Sequence, residues 1–365
     1  MSNSDHFFMH KAIALAKKGL GKTHPNPCVG AIVVKNKKVI GQGFHLKAGQ
    51  EHAEIIALKQ AGNKARNAEL YVTLEPCTHQ GKTSPCVDAI INVGISRVII
   101  GAKDPNPLVN GRGIKKLVEA GINVNFDIMS SQCEDINKGF MKRMKKGQPF
   151  IRSKIACSFD GRTSLKNSDS QWISSSASRQ DVQYWRSISS AIITGVGTIN
   201  KDNPQLNLRP LQNDTQPLRI ILDTNLSINL AAKILSQANV LIFYHDDPLG
   251  VKDILEKKGI RLIQSKITND RIDLNAVMDS CCDLELNDIL IEAGPTLNGE
   301  FLKAQLIDEL VIYQAPILMA GEAAGLFNQP VLGTMKNKIH LEHSDIRNFA
   351  NDIRYVTKIH YHHVD

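Results

Sequence analysis

Apolar residues along the first 147 positions change their spacing every ten or so residues, and the changes predict alternating helices and strands. In "SDHFFMHKAIALAKKGLG" (4–21), Phe8, Ala12, Leu15 and Ala16 recur at helical intervals between a Ser/Asp start and a glycine end. "CVGAIVVKNKKVIGQGF" (28–44) reads as two strands joined at a polar turn. Helix "AEIIALKQAG", strand "ELYVTL", helix "PCVDAIINVG", strand "SRVIIGA", helix "GIKKLVEAG" and strand "INVNF" follow, and a charged helix, "CEDINKGFMKRMKKG" (133–147), closes this half. Such alternation implies an α/β fold with a largely parallel sheet covered on both faces.

The second half continues the pattern. It opens with strand "FIRSKIACSF" and carries further predicted strands at "SAIITG", "LRIILD", "NVLIFY", "IRLIQ", "DILIEAG" and "ELVIYQAP", with helices mostly between them. The C-terminal "IRYVTKIHYHHVD" alternates like an edge strand of the same sheet. In that strand His360 and His362 share a face while His363 points away, so exposed histidines are preferred there to a metal site.

Length adds a domain count. A chain of 365 residues predicts about two domains. Residues 1–147 carry 22 Lys+Arg against 11 Asp+Glu, and residues 148–365 carry 22 against 25. This contrast sets a boundary near "KRMKKGQPF", giving domains 1–147 and 148–365. The basic first half fits an anionic partner such as a phosphorylated metabolite or RNA. The N-terminus lacks a signal-peptide pattern, and no apolar run approaches a membrane span, so a cytoplasmic protein is expected. Seven scattered cysteines form no disulfide framework.

Two fragments carry chemistry. "HAE" (52–54) precedes "EPCTHQGKTSPC" (75–86) by about one strand and one helix. His52, Cys77 and Cys86 supply three zinc ligands, which is the number a catalytic site uses, because it leaves one position for water. Glu54 is then a carboxylate free to move protons, as in the nucleobase deaminases. His52 and Glu54 sit where coil enters a helix. Ser84 and Pro85 read as N-cap and first-turn proline, which places Cys86 at a helix N-terminus. His79 is a fourth potential ligand that would close the site; a polar loop residue is the preferred reading. The eight residues between the cysteines exceed the usual two and add Lys82.

Further motifs extend the pattern: "HPNPCVG" (24–30), "GFH" (43–45), "DPNP" (104–107), "KIACSFDGRT" (154–163), "SQWISS" (170–175), "DNPQL" (202–206) and "EAGPTLNGEFL" (292–302). With them the chain resembles, over nearly its whole length, the family of bifunctional riboflavin-biosynthesis deaminase–reductases. The resemblance implies a cytidine-deaminase-like three-layer α/β/α domain followed by a dihydrofolate-reductase-like α/β domain. It also implies one zinc ion per chain and NADPH. The implied reactions are deamination of 2,5-diamino-6-ribosylamino-4(3H)-pyrimidinone 5′-phosphate, then reduction of the ribosyl group of the product to ribityl.

By position, the resemblance assigns zinc to His52, Cys77 and Cys86, and proton transfer to Glu54. Asn26 and His45 would contact base or ribose, and Lys82, Asp104 and Asn106 would hold ribose and phosphate. Cys28 is left as a small buried residue. The same asparagines and prolines also suit turns.

In the second half "GVGTIN" (195–200) lacks the last glycine of a dinucleotide fingerprint. "ILIEAGPTLNGEFLKA" (289–304) offers a strand, a tight turn and a helix start, which serves turn geometry as well as anion binding. The resemblance assigns NADPH to Ala156, Trp172, Thr198 and Asp202, and its pyrophosphate to Gly294, Pro295, Thr296, Leu297, Asn298, Gly299 and Glu300. Ser170, Arg186, Leu206 and Arg209 would hold the substrate, the arginines at its phosphate. Lys154 and Glu292 would flank the carbon that receives hydride. No nucleic acid or membrane partner is expected, and the family tends to form homo-oligomers (dimer or tetramer).

Two rival readings remain. An RNA-editing deaminase would explain the basic half, although the cysteine gap and the acidic second half argue against it. A silent zinc-stabilised scaffold would require lost catalytic groups, yet Glu54, Lys154 and Glu292 are present.

Overall fold

The structure is a computed structural model that describes residues 3–78, 85–167, 169, 171–209, 216–236, 238–328 and 334–361. The chain divides into two compact units, Met1–Gln148 and Pro149–Asp365.

In the first unit the elements run α1 (Asn3–Ala16), β1 (Gly30–Lys35), β2 (Lys38–Phe44), α2 (Ala53–Ala61), β3 (Glu69–Leu74), α3 (Cys86–Val93), β4 (Arg97–Ala102), α4 (Arg112–Glu119), β5 (Asn123–Asn125), α5 (Ser130–Ile136) and α6 (Lys138–Lys146). The sheet order is β2-β1-β3-β4-β5. Side chains alternate across it. Ile32 and Val34 pack with Phe8, Met9, Phe140 and Met141 on one face, while Ala31 and Val33 pack with Ala57, Leu58, Val87, Ile90 and Leu117 on the other. The result is the expected α/β/α sandwich.

The parallel character of this sheet is partial. Only β3, β4 and β5 run parallel, and β1 is antiparallel to both β2 and β3. The β1–β2 turn explains the hairpin, since Asn36 and Lys37 both have φ near +55°, at 50° and 60°. A two-residue turn of that hand matches the twist of the strands it joins. The predicted helix over 133–147 is two helices. Asn137 leaves the helical line at φ −117° and turns its amide to Cys28, accepting from the Cys28 N–H at 2.7 Å and donating to its carbonyl at 2.9 Å.

The second unit contains β6 (Phe150–Cys157), α7 (Ser176–Ser187), β7 (Ala191–Gly195), α8 (Val196–Asp202), β8 (Leu218–Leu222), β9 (Val240–Tyr244), α9 (Lys252–Lys257), β10 (Arg261–Gln264), β11 (Ile267–Thr268), β12 (Arg271–Ile272), α10 (Leu274–Asp283), β13 (Asp288–Ile291), α11 (Pro295–Lys303), β14 (Glu309–Gln314), β15 (His340–Phe349) and β16 (Asp352–His360). The large sheet has the order β10-β9-β8-β7-β13-β6-β14-β16-β15. Its strands from β10 to β14 are parallel, and the last two are antiparallel. Helices α7 to α9 cover one face, and α10 and α11 the other. The C-terminal strand is not the edge: β16 lies between β14 and β15, and His360 pairs with Glu342 on β15 at 3.0 Å. His362 and His363 lie outside the described residues.

The chain leaves β6 for β7 by way of α7 and later inserts β13 between them. Open parallel sheets bind ligands at the carboxyl ends of strands where the winding direction changes. That crevice belongs to β6, β7 and β13.

Candidate active sites

His52 is the N-cap of α2, and Glu54 is the second residue of that helix. Gly43 lets this helix start approach the sheet, because a Cβ there would sit 2.4 Å from the Ala53 carbonyl oxygen. Cys77 lies three residues past β3, and Cys86 opens α3 with Pro85 as the N-cap, one position later than the Ser84 cap expected. Ser84 lies outside the described residues.

These elements bring His52, Cys77 and Cys86 together, with their ligand atoms within 4.8 Å of one another. His52 Nδ1 is 3.2 Å from Cys86 Sγ and 3.6 Å from Cys77 Sγ. A tetrahedral zinc bonded at about 2.0–2.1 Å to nitrogen and about 2.3 Å to sulfur would hold such atoms about 3.6 Å apart. The donor set therefore fits that metal in spacing and in kind. Among the described residues no fourth His, Cys, Asp or Glu joins the cluster; His79 lies outside them.

The protein favours the ligand form of Cys77. Hydrogen bonds from the Cys86 thiol and the His52 ring, together with the Cys86 backbone N–H at 3.4 Å, hold it well below an ordinary thiol. That N–H is one of the free donors of the α3 N-terminus. Sharing the proton with Cys77, then burial, pushes Cys86 up. Glu54 is buried and hydrogen-bonds Cys86, and burial pushes its carboxyl up, the direction a proton carrier needs.

Beside the cluster, His45 meets His52 edge to face with ring centres 5.3 Å apart. Its Nδ1 donates to the Glu51 carbonyl at 3.2 Å and its Nε2 accepts from Asn26 Nδ2 at 3.1 Å. Burial lowers its pKa, which suits this neutral tautomer. Asp104 is buried, and burial pushes it up to about 7. It accepts from the Asn106 N–H at 2.8 Å, and Asn106 Oδ1 accepts from the Leu108 N–H at 3.0 Å. The turn-shaping role of "DPNP" is thus visible. Lys82 lies outside the described residues. Cys28 is buried.

The second unit holds a cavity of about 1540 Å³. Ligand pockets commonly span about 300–1,000 Å³, so this one has room for a cofactor and a second molecule. Lys154, Ala156, Trp172, Arg186, Thr198 and Asp202 line it, as do Leu206, Arg209 and Glu292. So do Gly294 to Asn298 and Glu300. Helix α11 begins there with Pro295 after an uncapped Gly294. A Cβ built on Gly294 or Gly197 would meet nothing within 4 Å, so both backbones are open to a ligand. A helix start without a side-chain cap suits a pyrophosphate, and these residues fit a dinucleotide.

Three of these residues are held by other parts of the protein. Gly299 is absent from the wall; it packs under the 325–328 segment, where a Cβ would sit 2.3 Å from the Asn328 carbonyl oxygen. Asn298 pins the turn, donating to the Ala293 and Gly294 carbonyls and accepting from Ser153 Oγ at 2.6 Å. Arg186 directs its fork at Glu292 and its Nη1 at the Asn207 carbonyl, so it orients a carboxylate. Ser170 lies outside the described residues.

Three residues escaped the sequence reading. Arg179 lies over the Trp172 ring, 4.5 Å from its centre. Asp160 accepts from Ser158 Oγ at 2.5 Å and from the Met319 and Ala320 N–H groups at 3.1 and 2.9 Å, clasping the loop before Ala324 and Leu326 of the cavity wall. Glu75 organises the loop carrying Asp104. The motifs contain Asp160 and Glu75, but a lone carboxylate shows no partner in a sequence.

Residues 2–102 match the cytidine and deoxycytidylate deaminase zinc-binding region, and residues 149–355 match the RibD C-terminal domain. The chain is 40% identical to riboflavin biosynthesis protein RibD of Escherichia coli strain K12, over 96% of this chain and 98% of that one. It is 41% identical to the Bacillus amyloliquefaciens protein of the same name, over 96% and 95%. Among solved structures, Acinetobacter baumannii RibD superposes with a TM-score of 0.91 at 40% identity, covering 98% and 99% of the two chains. The Thermotoga maritima diaminohydroxyphosphoribosylaminopyrimidine deaminase/5-amino-6-(5-phosphoribosylamino)uracil reductase superposes at 0.87 with 30% identity, over 97% and 98%. The resemblance, the fold class and the zinc and NADPH expectations are borne out. A zinc-region half and a reductase half, each with its site built as above, thus place the chain in the RibD family of bifunctional deaminase–reductases of riboflavin biosynthesis.

Proposed function

We propose that the first unit deaminates 2,5-diamino-6-ribosylamino-4(3H)-pyrimidinone 5′-phosphate and that the second reduces the resulting 5-amino-6-(5-phosphoribosylamino)uracil. The observation that carries this reading is the His52/Cys77/Cys86 cluster with Glu54 beside it and outside the donor set. Zinc held by those three donors supplies the Lewis acidity that lets water ionise near neutral pH. Glu54 would take one proton of the attacking water and pass it to the ring nitrogen, then take the second from the newly added C2 hydroxyl and pass it to the 2-amino group, which leaves as ammonia. Asn26 and the neutral His45 hold base or ribose, while Lys82, Asp104 and Asn106 hold ribose and phosphate.

In the second unit Ala156, Trp172, Thr198, Asp202 and the α11 N-terminus would hold NADPH, which would supply the hydride that reduces the ribosyl C1′. The C1′–O4′ bond breaks, and O4′ takes a proton. Glu292 is a poor source: burial pushes it up, but Arg186 and Lys154 outweigh this and bring it down to about 2. Lys154, whose Nζ lies 3.3 Å from Glu292 Oε2, is the donor, and Glu292 holds it in place. Ser170, Leu206 and Arg209 hold the substrate. Single-turnover reduction by Lys154→Met and Glu292→Gln tests this; unchanged rates in both would remove the pair from the chemistry.

We assign deamination to residues 1–147 and reduction to 148–365, supported by the family matches at 2–102 and 149–355. The protein works in the cytoplasm as a homo-oligomer on a small phosphorylated pyrimidine, without nucleic acid or membrane. No described helix is long and apolar enough to cross a membrane. The deciding assay supplies the purified chain with the diaminopyrimidine phosphate, with and without NADPH. Ammonia appears in both, and NADPH is oxidised only after deamination. Salt-sensitive micromolar binding of tRNA without pyrimidine turnover would contradict the reading.

A further inference from the structure

Glu75 is a buried carboxylate at the end of β3, two residues before Cys77, and among the described residues it forms no ion pair. Four backbone N–H groups satisfy it instead. Oε2 accepts from Gly111 at 3.0 Å and from Asp104 at 3.4 Å, and Oε1 accepts from Gly113 at 2.9 Å and Ile114 at 3.2 Å. Gly111, Gly113 and Ile114 form the start of α4, whose N-cap Gly111 has no side chain to cap it. Glu75 therefore caps this helix from another strand, where a negative charge suits both the free donors and the helix dipole.

The same carboxylate holds the Asp104 end of the loop that runs to Gly111, so both ends of that loop hang on one side chain. The approach is close: a Cβ on Gly113 would lie 2.3 Å from the Pro76 carbonyl oxygen and 3.1 Å from Glu75 Oε1. Pro76 leads directly into Cys77. We propose that Glu75 is a positioning residue of the deaminase, setting the loop of Asp104 and Asn106 at its working distance from the zinc-ligating turn. The inference rests on the proposed substrate contacts of that loop. Glu75 touches neither substrate nor metal; it acts through the loop.

The test compares the full chain with Glu75→Gln and Glu75→Asp, each with zinc bound. In Glu75→Gln an amide NH₂ faces two backbone N–H groups, leaving them without an acceptor. The expected result is about one zinc per chain, at least a tenfold rise in deaminase KM for the diaminopyrimidine phosphate with a much smaller change in kcat, and unchanged NADPH oxidation on the deaminated substrate. The Gly111, Gly113 and Ile114 amides exchange hydrogen faster. Glu75→Asp restores part of the KM, and it carries the test if Glu75→Gln fails to fold. Wild-type KM in the variants would overturn the proposal, as would a kcat loss that merely tracks zinc loss at constant KM. Ammonia release by the unsubstituted chain is the separate check on the function itself, and its failure takes this proposal down too.

Discussion

Arg186 grips Glu292 with both ends of its fork: Nε lies 2.6 Å from Oε1 and Nη2 lies 3.1 Å from Oε2. Glu292 is buried just past β13 and Arg186 reaches it from the end of α7, with Lys154 Nζ 3.3 Å from Glu292 and all three facing the cavity. A carboxylate fixed by two cations cannot rotate to serve as an acid, but it can hold an ammonium in one place. Replacing Arg186 with Met should therefore lower the single-turnover rate of NADPH oxidation about 100-fold, the scale of a misplacement near 1 Å. Ammonia release should stay at the wild-type rate. Equal loss in both reactions would point to general unfolding instead.

The same pair sets an acid limit on stability. Glu292 falls from an ordinary 4.5 to about 2 because Arg186 and Lys154 outweigh its burial. A depressed carboxylate contributes stability that is complete above its unfolded pKa and is lost as pH falls through its folded one. The window is thus about pH 4.5 to 2, with an effect on the order of 3 kcal/mol. Thermal melts of the chain and of Glu292→Gln should differ clearly near pH 5 and converge near pH 2. A constant gap across that range would contradict the ion-pair account.

Trp172 is 70% exposed on the cavity wall beneath Arg179, whereas Trp185 is buried in the core. NADPH should quench the solvent-exposed component of tryptophan fluorescence, and Trp172→Phe should remove most of that response. Trp172→Ala should weaken NADPH binding about tenfold through lost stacking, with a stability change within about 0.5 kcal/mol for so exposed a side chain.

The proposed zinc ligands were legible because each residue type stands at a strand or helix end, and those ends show in the apolar spacing. The central strands were legible for the same reason: buried parallel strands are short runs of Ile, Val and Leu. Strand β15 was not, since "HLEHSDIRNF" is exposed along nearly its whole length and has no alternation to read. The break at Asn137 was also hidden. Its cause is Cys28, 109 positions away in sequence. Glu75 illustrates the general limit, as its four donors lie 29 to 39 residues downstream and are all backbone N–H groups, which no residue type marks. Arg186 and Glu292 were both singled out, but their pairing spans 106 positions and appears only in three dimensions.

The most direct measurement is ammonia release by Glu54→Gln carrying its full complement of zinc. On the proposed roles Glu54 carries protons and does not bind the metal, so the variant should keep one zinc per chain, lose deamination by at least a thousandfold, and oxidise NADPH normally on the deaminated pyrimidine. Deamination within a few-fold of wild type, or loss of the zinc with the carboxylate, would contradict the account.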